Sequence, residues 1–143
     1  MARSHRLSQQ QYTDLLEFRT ALRTFERWSA DQARHQGLTP AQHQLLLAVK
    51  GHPDRRGPTV GEVASYLHVR HHSAVELIDR TVEAGFVERR RVDEDGRVVR
   101  LRLTRAAEGR FAALAELHLG ELLRLTPILD HLAEPYRTQQ RDS

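Results

Sequence analysis

The sequence predicts a mainly α-helical fold of the α+β class, in which helices surround a single β-hairpin. Apolar residues repeat at helical spacing over long stretches near both ends of the chain. Two capping boxes, Thr39–Gln42 and Thr59–Glu62, mark helix starts between those stretches. One later segment alternates apolar and basic residues after an Asp-Gly pair, as a hairpin does. A chain of 143 residues has the length of a single domain.

Composition indicates a globular protein without thiol chemistry. Hydrophobic residues make up 39% of the chain and charged residues 29%, and there is no cysteine. Disulfides, thiolate catalysis and Cys-ligated zinc are therefore excluded. No apolar run approaches the roughly 18 residues of a membrane span, and the N-terminal residues lack the apolar core of a signal peptide. We expect a cytoplasmic protein that does not enter the membrane.

The positive charge is almost entirely arginine and is unevenly distributed. Lys50 is the one lysine, and the formal net charge is only +3. Eight arginines fall between Arg89 and Arg110 with four acids among them. Guanidinium groups suit phosphates and narrow grooves. Genomic composition explains the arginine count equally well, so the placement carries more information than the number.

The N-terminal part of the chain predicts a long helix followed by a shorter one. Between Ser8 and about His35, apolar residues spaced three or four apart form one helical stripe, which comprises Leu15, Phe18, Leu22, Phe25 and Trp28. Gly37 is the expected stop. The box that begins at Thr39, with Pro40 at the first helical position, opens a second helix that ends near Gly51.

The middle of the chain predicts a helix-turn-helix and then a hairpin. A short helix begins at Thr59, a brief connection covers 68–70, and a second helix extends from His71 to about Ala84. Segments 86–92 and 98–103 flank an Asp-Gly turn. In the second segment valine and leucine alternate with arginine. A hairpin directly after a helix-turn-helix makes a winged helix.

The C-terminal part predicts one more long helix. Thr104 is a suitable cap, and apolar residues recur about every 3.5 residues from Phe111 to Leu132. Pro127 follows Thr126, where the helix either kinks or restarts. The polar tail from Pro135 is expected to fray.

Residues 59–104 resemble the DNA-binding core of the MarR family of bacterial winged-helix regulators. The segment DRTVEAGFVER, Asp79–Arg89, matches the end of the family's recognition helix. Asp93, Asp95 and Arg97 match its wing pattern, and Leu103-Thr104 match the residues that follow. The chain departs from the family at three points: Arg70 stands at a cap position that is often Ser, Ala107 replaces a usual Gly, and the C-terminal region is short.

The resemblance implies which residues contact DNA. The start of the recognition helix enters the major groove, while the wing arginine, Arg97, enters the minor groove and is oriented by Asp93 or Asp95. The candidate DNA contacts are Arg70, His71, His72, Ser73, Glu76, Arg80, Arg89, Arg91 and Arg97. Two plainer interpretations remain open: the histidines are exposed cap residues, and Arg97 neutralises the acids of its turn.

The two terminal helices indicate a homodimer. Their apolar stripes exceed what a winged helix of about 45 residues covers, and the family joins two copies through such helices. We therefore expect a dimerisation helix in 1–38, the DNA-binding winged helix in 39–104, and a C-terminal dimerisation helix with a polar tail in 105–143. A monomer with an internal helical bundle is the alternative. A two-fold dimer matches a pseudo-palindromic operator.

The function that the resemblance implies is a transcription regulator, a repressor of a neighbouring operon, and not an enzyme. Family members often bind small aromatic or phenolic effectors between the dimer helices and the winged helix, and the candidate lining residues here are Phe25, Trp28, Tyr66, Phe111 and His118. Each also fits a plain core role. The nine histidines lack metal-ligand spacing, so neither a metal nor a cofactor is expected. The alternatives are a winged-helix protein-interaction module and a metal-responsive regulator.

Overall fold

The structure, a computed structural model, describes residues 6–91 and 96–141. The described residues form six helices and one two-stranded antiparallel sheet, which confirms the predicted mainly α class. In chain order the elements are α1 (Gln9–His35), α2 (Pro40–Gly51), α3 (Val60–Leu67), α4 (His71–Glu83), β1 (Val87–Arg91), β2 (Val99–Leu103), α5 (Arg105–Leu123) and α6 (Thr126–Arg141). None of the helices in these two ranges combines the length and apolar character that crossing a membrane requires.

The chain divides into two compact units. One unit, residues 30–115, contains the end of α1, the helices α2 to α4, the hairpin and the start of α5. The other consists of the described residues up to Ser29 and from Glu116 onward, that is, most of α1, the end of α5 and α6. The first is called the winged unit below, and the second the terminal-helix unit.

Three helices and the hairpin share the core of the winged unit. Its fully buried apolar side chains come from every element between α2 and β2 and include Leu45, Leu46, Val63, Ala74, Ile78, Val87 and Leu101. Thr81 of α4 is also fully buried, which the apolar pattern alone did not predict. Its hydroxyl donates a 2.7 Å hydrogen bond to the carbonyl of Leu77, so burial leaves no polar group unsatisfied.

Helix starts follow local sequence closely. Both predicted capping boxes form, with the side chains of Thr39 and Thr59 accepting from the backbone three residues later. A third box, which the sequence analysis missed, begins α1: Ser8 Oγ accepts from the Gln11 amide at 3.1 Å, and Gln11 Oε1 accepts from the Ser8 amide at 2.8 Å. These reciprocal bonds satisfy amides that have no partner inside their helix.

The hairpin is joined to the loop that precedes α3. β1 and β2 pair from Val87↔Leu103 to Arg91↔Val99. The Leu101 amide donates a 2.9 Å hydrogen bond to the carbonyl of Pro58, and Thr59 forms an isolated antiparallel bridge with Arg100. The loop backbone therefore continues the sheet on the open side of β2.

The C-terminal segment differs from its prediction in one respect. Of the two possibilities left open at Pro127, the structure shows a restart, because α5 ends at Leu123 and α6 begins at Thr126. The expected frayed tail is wrong, since α6 continues through Pro135 to Arg141. An exposed ion pair of 3.1 Å joins Arg137 to Asp130, on either side of the proline. The C-terminal region is accordingly less abbreviated than its length suggested.

Gly57 is where the loop and β2 approach most closely. Its φ is +92°, and an added Cβ would lie 1.8 Å from the carbonyl oxygen of Leu101. Gly57→Ala should therefore destabilise the protein by at least about 1–3 kcal/mol, because both the left-handed backbone and the contact resist a side chain.

Gly109→Ala in α5 is the matched control for this prediction. An added Cβ at Gly109 meets nothing within 4 Å, so this substitution should stabilise the protein by up to about 1 kcal/mol. Urea unfolding at one protein concentration measures both free energies. A Gly57→Ala variant as stable as the wild type would contradict the observed backbone approach.

Candidate nucleic-acid interface

Helix α4 buries one face and exposes the other. Ala74, Ile78 and Thr81 face the core, while the exposed face carries four of the predicted DNA contacts: His71, His72, Glu76 and Arg80. Ser73 is half-buried beside them. The sequence prediction of a helix-turn-helix whose second helix presents polar and basic residues outward thus matches the geometry.

The turn between α3 and α4 leaves the start of α4 open. His68 ends α3 in the left-handed conformation, with φ 53° and ψ 43°. Arg70 occupies the N-cap of α4 in an extended conformation and makes no side-chain cap hydrogen bond. No acidic residue stands in the first turn. The positive end of the helix dipole is therefore not offset by a local carboxylate, an environment that favours an approaching anion.

One acid of α4 is neutralised from the hairpin. The guanidinium of Arg89 on β1 donates a hydrogen bond to Asp79 and forms an ion pair with it. Arg89, predicted from the sequence as a DNA contact, thereby connects β1 to α4. Glu76 has no ion-pair partner within residues 6–91 and 96–141, so its carboxylate stands alone on the exposed face.

The predicted wing arginine, Arg97, lies just before the start of β2. Arg97 is exposed and precedes the first strand residue, Val99, by two positions. Arg91 Nη1 donates a 3.1 Å hydrogen bond to the carbonyl of Gly96, at the turn end of the hairpin. Asp93 and Asp95, predicted to orient Arg97, lie outside the described residues.

Arg100 is a structural arginine that the sequence analysis did not single out. Strand alternation put it on the polar face together with Arg102, whose side chain is 50% exposed, yet the Arg100 side chain is only 15% exposed. Its Nη1 donates a 2.9 Å hydrogen bond to the Gly57 carbonyl. The same nitrogen lies 3.8 Å from both Asp54 Oδ2 and Glu62 Oε1. The acids on either side of Gly57-Pro58, Asp54 and Glu62, are the sequence feature that could have indicated an ion pair for Arg100.

Both acids around Arg100 are held in their charged form. Side-chain and backbone hydrogen bonds from Arg56, with the charge of Arg100, hold the pKa of the Asp54 carboxyl far below its usual value. The amide of Thr59, with the same charge of Arg100, lowers the pKa of Glu62. At neutral pH the guanidinium of Arg100 therefore stands between two carboxylates.

Three of the five predicted pocket residues come together in the terminal-helix unit. Phe25, Trp28 and His118 form an aromatic cluster with ring centroids 4.8–6.0 Å apart. His118 is buried, and its Nε2 lies 2.6 Å from Ser29 Oγ. Phe25 and Trp28 also line a groove of about 690 Å³ between α1 and the C-terminal helices.

The other two pocket candidates lie in the winged unit with partners of their own. The Tyr66 hydroxyl lies 2.8 Å from Nδ1 of His52. Phe111 is buried in the core with its ring 6.1 Å from that of His43. In the part of the chain that the structure describes, no three His, Asp or Glu side chains gather as metal ligands would.

Comparison with known proteins agrees with this architecture. The sequence model of the MarR family matches residues 36–98, which cover α2 to α4 and the first wing strand. No curated protein matches the sequence at a significant level.

Solved structures share the fold over most of the chain. Wild-type MarR from E. coli in its apo form is 21% identical, with a TM-score of 0.64 over 86% of this chain and 91% of its own. AbsC, a MarR family transcriptional regulator from Streptomyces coelicolor, is 15% identical, with a TM-score of 0.67 over 98% of this chain and 100% of its own.

A third similar structure was solved with nucleic acid. It is a mutant of MepR from S. aureus bound to an oligodeoxyribonucleotide, 16% identical, with a TM-score of 0.64 over 89% of each chain. The model of the MarR family thus matches the helix-turn-helix of this chain, and the chain has the fold of these solved regulators.

Proposed function

We propose that this protein is a DNA-binding repressor that acts in the cytoplasm as a homodimer on a pseudo-palindromic operator. The observation that carries the proposal is the exposed face of α4, which presents His71 and His72 at a helix start with no acid in its first turn, and Arg80 in its last turn. The similar fold of MepR, bound to an oligodeoxyribonucleotide, supports it. Nothing in the described residues favours a metal-responsive or purely protein-binding role over this one.

The recognition helix reads the major groove in this proposal. Arg70, at the N-cap, is placed to contact guanine or a phosphate, and His72 and Ser73 donate to base edges or phosphates. Glu76 is the acid of this face closest to the start of α4, and its carboxylate repels phosphate. A carboxylate there accepts from the N4 amino group of cytosine, so we assign Glu76 to base reading rather than to affinity.

The wing reaches the minor groove through Arg97. A narrow minor groove has enhanced negative potential, which suits a guanidinium at the end of a thin ribbon. Arg80 and Arg91 are assigned to phosphates. Arg89 shares its charge with Asp79, so we expect a weaker DNA contact from it than from Arg97.

Dimerisation is assigned to the terminal-helix unit. Exposed leucines extend along α5 and into α6, with Leu119 60% and Leu123 61% exposed, together with Leu117, Leu122 and Leu129. A surface with this many large apolar side chains is unusual for a monomer and typical of an interface between copies. A two-fold dimer presents two recognition helices to half-sites one helical turn apart.

A small aromatic or phenolic effector is a further part of the proposal. The groove beside Phe25 and Trp28 has the volume and apolar lining of small-molecule sites. Tyr66 and Phe111 have their own partners in the winged unit and are the weaker candidates among the lining residues. Such an effector changes DNA binding only if its affinity differs between two states of the protein.

Arg97→Ala should weaken binding to duplex DNA by at least about five-fold, because a groove contact is lost while the fold is untouched. Arg102→Ala, on the same hairpin, is the control and should change the affinity less. Fluorescence titration of a labelled operator duplex measures both affinities, and circular dichroism checks folding. Equal affinity of wild type and Arg97→Ala would refute the assigned role of Arg97.

Leu123→Glu should dissociate the dimer, because a carboxylate would be buried between two copies. Light scattering should give the wild type twice the 16.5 kDa of one chain and the variant a mass closer to a single chain. Leu47→Glu is the control, since Leu47 is 56% exposed in the winged unit and should leave the mass unchanged. A wild-type mass of one chain would overturn the dimer.

A further inference from the structure

One side chain of the hairpin, near the turn-side end of the strand pairing, takes no part in the proposed DNA contacts and reaches residues outside the hairpin. Arg100 lies in β2 and is bridged through its backbone to Thr59. Its guanidinium turns away from solvent and donates to the carbonyl of Gly57 at 2.9 Å. Asp54 and Glu62 flank it at 3.8 Å. One side chain thus connects the wing to the loop before α3 and to the cap of α3.

Arg102 shows that this placement is not a general property of the strand. It lies two residues further along β2 and on the same polar face. Its Nε is 3.5 Å from Glu88 of β1, so its ion pair stays inside the hairpin. Among the residues that the structure describes, Arg102 thus pairs within the hairpin, whereas Arg100 contacts the loop before α3.

The free energy of folding does not by itself explain why a charged side chain stands at position 100. Within the described residues, Nε of Arg100 is buried without a hydrogen-bond acceptor, which costs free energy. Ion pairs in such surroundings often stabilise less than apolar side chains of the same size, and in some proteins they fix one geometry instead. The arrangement fits a residue that fixes the orientation of β2.

Val87, Leu101 and Leu103 hold the strands in the core, so the contacts of Arg100 bear on the part of the wing beyond them, toward Arg97. Arg97 lies three residues before Arg100, roughly 10 Å along an extended chain. A small rotation of the ribbon at its base therefore moves the Arg97 side chain by a distance comparable with a hydrogen bond.

We propose that Arg100 is a positioning residue. Its contacts with Gly57, Asp54 and Glu62 fix β2 against the loop before α3 and the start of α3. They thereby set the angle at which the wing presents Arg97 to DNA. This inference rests on the proposed DNA-binding function. It assigns Arg100 no contact with DNA.

A double-mutant cycle tests this inference. Affinity for one operator duplex is measured for the wild type, Arg97→Ala, Arg100→Met and the double variant. Arg100→Met retains most of the apolar stem and removes the guanidinium. If the wing is misplaced, removing Arg97 should cost less than about two-fold in the Arg100→Met background, against at least about five-fold in the wild type.

Arg102→Met supplies the matched background, in which Arg97→Ala should keep its full wild-type cost. Arg100→Lys keeps a donor for the Gly57 carbonyl, so in this background Arg97→Ala should regain part of its wild-type cost. If circular dichroism shows that Arg100→Met is unfolded, Arg100→Lys takes its place in the cycle. An undiminished Arg97→Ala cost in the folded Arg100 variant would overturn the inference while DNA binding stands. A wild type that binds no duplex would overturn the proposed function itself.

Discussion

The close approach of two backbones, Gly57 against Leu101, is the constraint on which the rest of the winged unit depends. There is no room for a side chain at Gly57, so the loop lies flat on β2 and its neighbour Pro58 accepts the Leu101 amide. Thr59, two residues after Gly57, caps α3. The hairpin, the loop and the first helix of the helix-turn-helix are thereby fixed to one another over a short stretch of chain.

The arginines separate into two groups on this frame. Arg56, Arg89, Arg91 and Arg100 have acceptors within their own unit and determine its geometry. Arg70 and Arg80 stand on the exposed face of α4. A chain with a formal net charge of only +3 thus presents a basic surface where α4 begins, because many of its other charges neutralise one another.

Features set by neighbouring residues could be predicted from the sequence, and features set by distant ones could not. The helix starts at Thr39 and Thr59 follow from hydrogen bonds within four residues, and these predictions are confirmed. The clamp at Arg100 depends on a carbonyl 43 residues away, which strand alternation cannot reveal. Fraying is predicted from the polar tail that begins at Pro135, a helix-breaking residue, yet α6 continues through this residue.

The most direct test of the central claim is the salt dependence of binding to random-sequence duplex DNA. The account predicts measurable affinity at low salt, with log affinity falling linearly against log salt concentration at a slope of about −0.9 per phosphate contacted. Several contacts from the two recognition surfaces of a dimer should make that slope steep. A protein that binds no duplex at low salt, or whose affinity does not change with salt concentration, would contradict the account.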